Sequence, residues 1–152
     1  MPCVKIVNER YDSPEAASNL IRYVYRKSLY IGGYSVDPAY AAEQMNLFRS
    51  YWNKNHGRRL YHFIVSLSDY ESSHVRSVQS IAMQAYEICE YFSDEYQIVF
   101  GVHHNDRWHV HFLMNPVSYK TGKLYRGRRF DDANLAMAVE AAFGGRAVVV
   151  YD

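Results

Sequence analysis

The sequence predicts an α+β domain in which helices pack on a central antiparallel sheet of about five strands. Segments rich in β-branched and aromatic residues alternate with segments whose apolar residues recur at helical spacing. The composition, 49% hydrophobic and 22% charged over 152 residues, is typical of a globular protein with one core. We therefore expect residues 1–152 to form a single domain.

Periodicity and end signals define the elements in order. Ser13 is a suitable N-cap with Pro14 at the first helical position, and Pro38 begins a second helix after the break expected at the glycine pair of YIGGYSVDPAY. Ser72 or Ser73 can cap a long third helix. The predicted strands are about 2–8, 58–68, 96–103, 108–117 and 146–152, and the predicted helices about 14–28, 38–56, 72–92 and 131–143.

Charge and cysteine content exclude some classes of protein. The formal net charge is +1, so a nucleic acid would have to be held by a local basic patch. Cys3 and Cys89 lie far apart without CxxC spacing, which predicts reduced thiols rather than a disulfide framework or a zinc ribbon. No signal sequence and no apolar run of roughly 20 residues is present, so a cytoplasmic location is expected.

Four of the seven histidines lie in the stretch GVHHNDRWHVHFLMN, residues 101–115. His109 and His111 are two apart on a predicted strand, so their side chains point to the same face. If the hairpin turn has three residues, His103 lies opposite His109 and joins that face; if it has two, His104 does so instead. Either register gathers three imidazoles, which suit a divalent ion with open positions, whereas the alternative is strand histidines without a shared task.

Tyrosines and basic residues lie together in two other segments. IRYVYRK places Tyr23 and Tyr25 beside phosphate-binding side chains of the first helix, namely Arg22, Arg26 and Lys27. The two tyrosines are about 200° apart around the helix, so only one can face the histidines, and the more polar flank favours Tyr23. YKTGKLYRGRR, residues 119–129, has no acid and is typical of a groove for single-stranded nucleic acid. Its basic residues are Lys120, Lys123, Arg126, Arg128 and Arg129.

Together these segments resemble a relaxase, the mobilisation nuclease of plasmids and integrative elements in the HUH endonuclease superfamily, of the type common in Gram-positive mobile elements. In that family an early tyrosine, here in IRYVYRK, precedes a GY-containing turn and a helix, here GGYSVDPAYAAEQM. A strand similar to HFIVSLS and a long helix follow, then the paired strands seen here as VHHNDRWHVHFLMN. The likeness spans most of the chain.

The resemblance implies metal-dependent nicking of single-stranded DNA at an origin of transfer. The ion would be Mg²⁺ or Mn²⁺, a tyrosine would attack the scissile phosphate, and accessory relaxosome proteins would be partners. In this sequence it implies Tyr23 as nucleophile with Tyr25 as alternative, Asn115 as a further catalytic residue, His103 (alternative His104), His109 and His111 as metal ligands, and His62 and Asp106 as residues supporting the ligands. Asn105 stands where the family usually has an acid, and the shorter turn leaves the choice between His103 and His104 open.

Three other functions are compatible with parts of the pattern. A rolling-circle replication initiator uses the same chemistry, but its usual compact motif has two histidine ligands, so a third favours the relaxase. A DNA-binding module with the same fold and no cleavage would lack a covalent DNA adduct. A metal-dependent hydrolase of small molecules would not need the basic, tyrosine-rich loop.

Overall fold

The protein folds around one mixed sheet of six strands. In the computed structural model, which describes residues 1–92 and 94–152, the order of strands across the sheet is β2-β4-β5-β3-β1-β6. The elements are β1 (Cys3–Val7), α1 (Pro14–Arg26), β2 (Tyr30–Tyr34), α2 (Ala41–Tyr51), β3 (Tyr61–Ser66), α3 (Asp69–Ser73), α4 (Val78–Glu90), β4 (Ile98–His104), β5 (Trp108–Met114), α5 (Arg129–Phe143) and β6 (Val148–Tyr151). The α+β class is confirmed, but β6 runs parallel to β1, so the sheet is not wholly antiparallel.

The additional strand is β2, which contains the glycine pair expected to break the chain. These glycines permit close packing within a strand rather than a turn. A Cβ at Gly32 would lie 2.5 Å from the ring of Phe100 and 2.6 Å from the hydroxyl of Tyr86. The prediction of a break was wrong because the absence of a side chain serves the contact between strand and core here.

Two predicted helices differ from those in the structure. The helix predicted over 72–92 is two helices, because Ser68 caps α3 and Ser77 caps α4 through separate side-chain hydrogen bonds. Neither Ser72 nor Ser73 is the cap of the long helix. The second predicted helix begins as a 3₁₀ turn and ends at the start of a loop that contains a residue with positive φ.

Helices cover the two faces of the sheet unequally. One face carries α4 and α5 and contains the larger apolar cluster, which includes Phe63, Phe100 and Phe112. The other face carries α1 and α2 over a smaller cluster that includes Val24, Met45 and Leu113. The histidines of β5 lie on this second face and are only half-buried. The less extensive cover therefore leaves part of that face open.

None of the helices in residues 1–92 and 94–152 combines the length and hydropathy required to cross a bilayer.

Candidate functional site

The β4–β5 hairpin brings three imidazoles together on the face that carries α1. In the register of this pair, His103 lies opposite His109, so the turn comprises the three residues 105–107. His111 is two residues further along β5 and shares the same face. One ring nitrogen from each of these three histidines lies within 4.8 Å of the other two. The arrangement is compact enough for all three to contact a single ion.

His104 lies on the opposite face of the hairpin. Its side chain is exposed, and its ring stacks on that of Trp108 with centroids 4.3 Å apart and planes 12° apart. The structure therefore does not bring His104 to the three-histidine cluster. The three-residue turn decides this, because a turn of two residues would exchange the faces of all residues on one strand.

Backbone carbonyl groups orient His103 and His109. Nε2 of His103 lies 2.9 Å from the carbonyl oxygen of Val24, and Nδ1 of His109 lies 3.2 Å from that of Arg107. Because a carbonyl oxygen only accepts hydrogen bonds, each of these nitrogens carries the proton. The other nitrogen of each ring keeps its lone pair available for a metal ion when the imidazole is neutral.

His111 is the first member of a buried chain of hydrogen bonds. Its Nδ1 lies 2.9 Å from Nε2 of His62, and Nδ1 of His62 lies 3.0 Å from the hydroxyl of Tyr11. If His111 binds an ion through Nε2, its Nδ1 donates to His62 and the Nδ1 of His62 donates to Tyr11. The family resemblance predicts that His62 supports the ligands, whereas Tyr11 lies in no motif that singles it out.

The electrostatic environment keeps the cluster suited to a cation. Burial lowers the pKa of His111 to about 2, and the neighbouring imidazoles add to this effect. Burial likewise lowers the pKa of His62, to about 4, and that of His103. Neutral imidazoles are the form that binds metal, and the half-buried rings of His109 and His111 leave one side open. These residues therefore fit a divalent ion with positions free for a ligand.

The last turn of α1 lies against this cluster. Val24, whose carbonyl accepts from His103, follows Tyr23 directly in sequence. Tyr23 is 48% exposed, and the Nζ of Lys27 lies 3.3 Å from its hydroxyl oxygen. After burial and the neighbouring His109, the positive charge of Lys27 also lowers the pKa of His103, so the ammonium lies within electrostatic range of that ring. An exposed phenol, a lysine and the histidine cluster thus adjoin one another.

Tyr25 faces another part of the protein. Its hydroxyl donates to the carbonyl oxygen of Pro38 at 2.8 Å, and burial raises its pKa. The helix therefore separates the two tyrosines, with Tyr23 exposed and Tyr25 packed beside the segment that precedes α2. Arg22, Arg26 and Lys27 are exposed.

Asn115 lies beyond the end of β5 and away from the three imidazoles. Its side chain is fully buried, and its Nδ2 donates to the carbonyl of Met45 at 3.3 Å and to Oε1 of Gln97 at 3.1 Å. Its Oδ1 accepts from the backbone N–H of Val117. The structure therefore assigns these polar atoms to internal contacts, which corrects the expectation that Asn115 stands among the reacting groups. Asp106 is exposed within the turn.

The basic loop leaves the end of β5 that is remote from the histidines. It is fixed beside α2, where Nε1 of Trp52 donates to the carbonyl of Tyr119 at 3.2 Å. The expectation that the loop lies beside the histidines is therefore wrong, since β5 runs away from them before the loop begins. Its basic side chains are exposed: Lys120, Lys123, Arg126, Arg128 and Arg129.

Comparison with protein families agrees with this arrangement. A family model described as "Relaxase: MobA/VirD2-like, nuclease domain" matches residues 23–142, a range that begins at Tyr23 and includes all three clustered histidines. No curated protein sequence matches the chain. A solved structure from work on the "Molecular Basis of Vancomycin Resistance Transfer in Staphylococcus aureus" is similar with a TM-score of 0.49 and 14% sequence identity, over 79% of this chain and 74% of that chain.

Proposed function

The chain belongs to the MobA/VirD2-like relaxase nuclease family, and from that premise we propose that it nicks one strand of DNA by tyrosine transesterification. The observation that carries the proposal is the three-histidine cluster against the helix that bears an exposed Tyr23. The proposed substrate is single-stranded DNA at an origin of transfer. Accessory relaxosome proteins are the proposed partners, and the cytoplasm is the proposed location.

His103, His109 and His111 are the proposed ligands of one Mg²⁺ or Mn²⁺ ion. When bound, the ion would polarise a non-bridging oxygen of the scissile phosphate and offset the charge that develops there. The carbonyls of Val24 and Arg107 hold two of the imidazoles in the required tautomer. His62 holds the third imidazole through Nδ1.

Tyr23 is the proposed nucleophile. Its Oη forms a bond to phosphorus while the bond from phosphorus to the 3′ oxygen breaks. The phenol loses its proton to solvent and the departing oxygen gains one, which gives a 5′-phosphotyrosyl strand and a free 3′-hydroxyl. Lys27, whose ammonium contacts the phenol oxygen, orients the nucleophile and offers positive charge to a phosphate. Attack in reverse by a 3′-hydroxyl rejoins the strand, because one phosphoester bond replaces another.

A selection from random sequence tests this proposal whatever the sequence of the nick site. The protein is incubated with a randomised single-stranded oligonucleotide library and Mn²⁺, and adducts that survive denaturation are recovered and sequenced. Peptide mass spectrometry then identifies the modified residue, which we expect to be Tyr23. Tyr23→Phe should lose the adduct while retaining Mn²⁺ affinity, and Tyr25→Phe should retain both. Modification of another tyrosine would reject the assignment, and a wild-type protein that binds Mn²⁺ but forms no adduct would reject nicking.

A further inference from the structure

A second cationic feature lies at the other end of the sheet from the histidines. It is a cavity of about 320 Å³ between the loop before β3, the segment after β1 and the basic loop. The side chains that we call the basic cavity are Arg10, Lys54, His56, Arg58 and Arg126, together with Gly57, Pro116, Leu124 and Tyr125. No acidic residue of the described chain lines it. The sequence pattern indicates only Arg126 of this group.

The cations of the basic cavity have no carboxylate partners among residues 1–92 and 94–152. Arg58 is held by neutral groups instead, since its Nη1 donates to the carbonyl of Glu9 at 3.2 Å and its guanidinium lies 5.6 Å from the ring centroid of Tyr61. A terminal nitrogen of Arg10 lies 3.6 Å from where a Cβ would stand on Gly57. These arginines are therefore positioned close together without neutralisation by an acid.

Two buried arginines add to this unbalanced charge. Arg49 is 1% exposed and Arg59 is 8% exposed. They fix the loop that contributes Lys54 and His56, because Arg49 donates to the carbonyl of His56 at 2.9 Å and Arg59 donates to that of Asn55 at 2.8 Å. In the described residues, Nε and Nη1 of Arg49 and Nε of Arg59 have no hydrogen-bond partner. Buried cations without counter-charges are costly, and an anion bound nearby would offset part of that cost.

We propose that the basic cavity binds a backbone phosphate of the DNA strand, as a site separate from the histidine cluster. Guanidinium groups recognise phosphate oxygens through paired hydrogen bonds, and the fixed loop presents its cations without further ordering. Arg58 precedes His62 by four residues, and Pro116 follows His111 by five, so the cavity lies roughly 13–17 Å from the cluster at about 3.3 Å per strand residue. DNA is named as the source of the phosphate on the basis of the proposed function.

Charge removal inside the cavity separates this site from the basic loop. The variant Arg10→Gln with Lys54→Gln changes two cations outside that loop, neither of them fully buried. Its matched control, Arg76→Gln with Arg146→Gln, removes two exposed cations elsewhere. Binding of a fluorescein-labelled single-stranded oligonucleotide of mixed sequence is measured by anisotropy in EDTA over a salt series.

The cavity variant should bind more weakly, and its slope of log K against log salt should decrease by about 0.7 for each lost phosphate contact. The control should keep the wild-type slope. Equal slopes in the wild type and the cavity variant would overturn the proposal, as would equal losses in the cavity and control variants. Thermal protection by inorganic phosphate that requires Arg10 and Lys54, with no change in the DNA slope, would identify a small-anion site and reject DNA.

Failure of this inference and failure of nicking give different results. The cavity variant should keep wild-type Mn²⁺ affinity and should form the covalent adduct at saturating DNA, because the cavity is remote from the histidines. A wild-type protein that forms no adduct but shows the cavity-dependent salt slope would reject nicking and retain the phosphate site. A wild-type adduct with no cavity-dependent slope would retain nicking and reject the site.

Discussion

His103 lies directly opposite His109 across the β4–β5 pair, with ring centroids 5.2 Å apart. This pairing leads to a sharp difference between two adjacent histidines. His103→Ala should weaken Mn²⁺ binding by about 100-fold or more, since loss of even an outer partner of a ligand typically costs 10–100-fold. His104→Ala should leave the affinity unchanged, because its ring stacks on Trp108 on the other face. Isothermal titration calorimetry measures both, and equal losses would contradict the three-histidine site.

The hydroxyl of Tyr11 should contribute to metal affinity although it lies two hydrogen bonds from His111. In Tyr11→Phe, Nδ1 of His62 loses its partner, so the orientation of His62 against the ligand is less well fixed. We expect a loss of about 10-fold in Mn²⁺ affinity, measured by electron paramagnetic resonance of the free ion. Tyr51→Phe, a change at an exposed hydroxyl, is the control. An unchanged affinity in Tyr11→Phe would confine the role of Tyr11 to packing.

The metal-free protein should lose stability as the solution becomes acidic. The pKa of buried His62 falls from 6.5 to about 4 on folding, so below pH 6.5 the unfolded chain binds a proton that the folded chain does not. The free energy of unfolding should therefore decrease between pH 6.5 and pH 5, by about 1–2 kcal/mol from this residue. Urea denaturation in EDTA measures the change. His62→Gln should make the pH dependence shallower, and an unaltered dependence would exclude this origin.

Asn115 should matter for stability and not for the metal. Asn115→Ala leaves the backbone N–H of Val117 and the buried amide of Gln97 without their partner, and each buried unsatisfied group costs about 1–3 kcal/mol. We expect a loss of that order in the free energy of unfolding, with unchanged Mn²⁺ affinity in the folded protein. A variant of normal stability that loses adduct formation would restore Asn115 to the reaction.

The sequence predicts the histidine cluster well because parity along a strand is a local property. Two residues of equal parity share a face wherever the strand lies, and only the length of the turn depends on the folded structure. Tyr11 could not be predicted in the same way, since its contact with His62 joins residues 51 apart in sequence. The glycine pair of β2 shows the same limit: its role depends on the ring of Phe100, and local rules favour a break.

The position of β6 has a consequence for how the chain reaches its folded state. Cys3 pairs with Val148, and Ile6 pairs with Tyr151, so the first strand acquires its parallel neighbour only across nearly the whole sequence. Contacts of such long separation close slowly, because the entropy lost in joining distant segments is not recovered until they pair. During synthesis, β1 can pair with β3 long before β6 leaves the ribosome. The edge beside β1 is therefore completed last, and until then it is a site at which a nascent chain can pair with a strand other than its own.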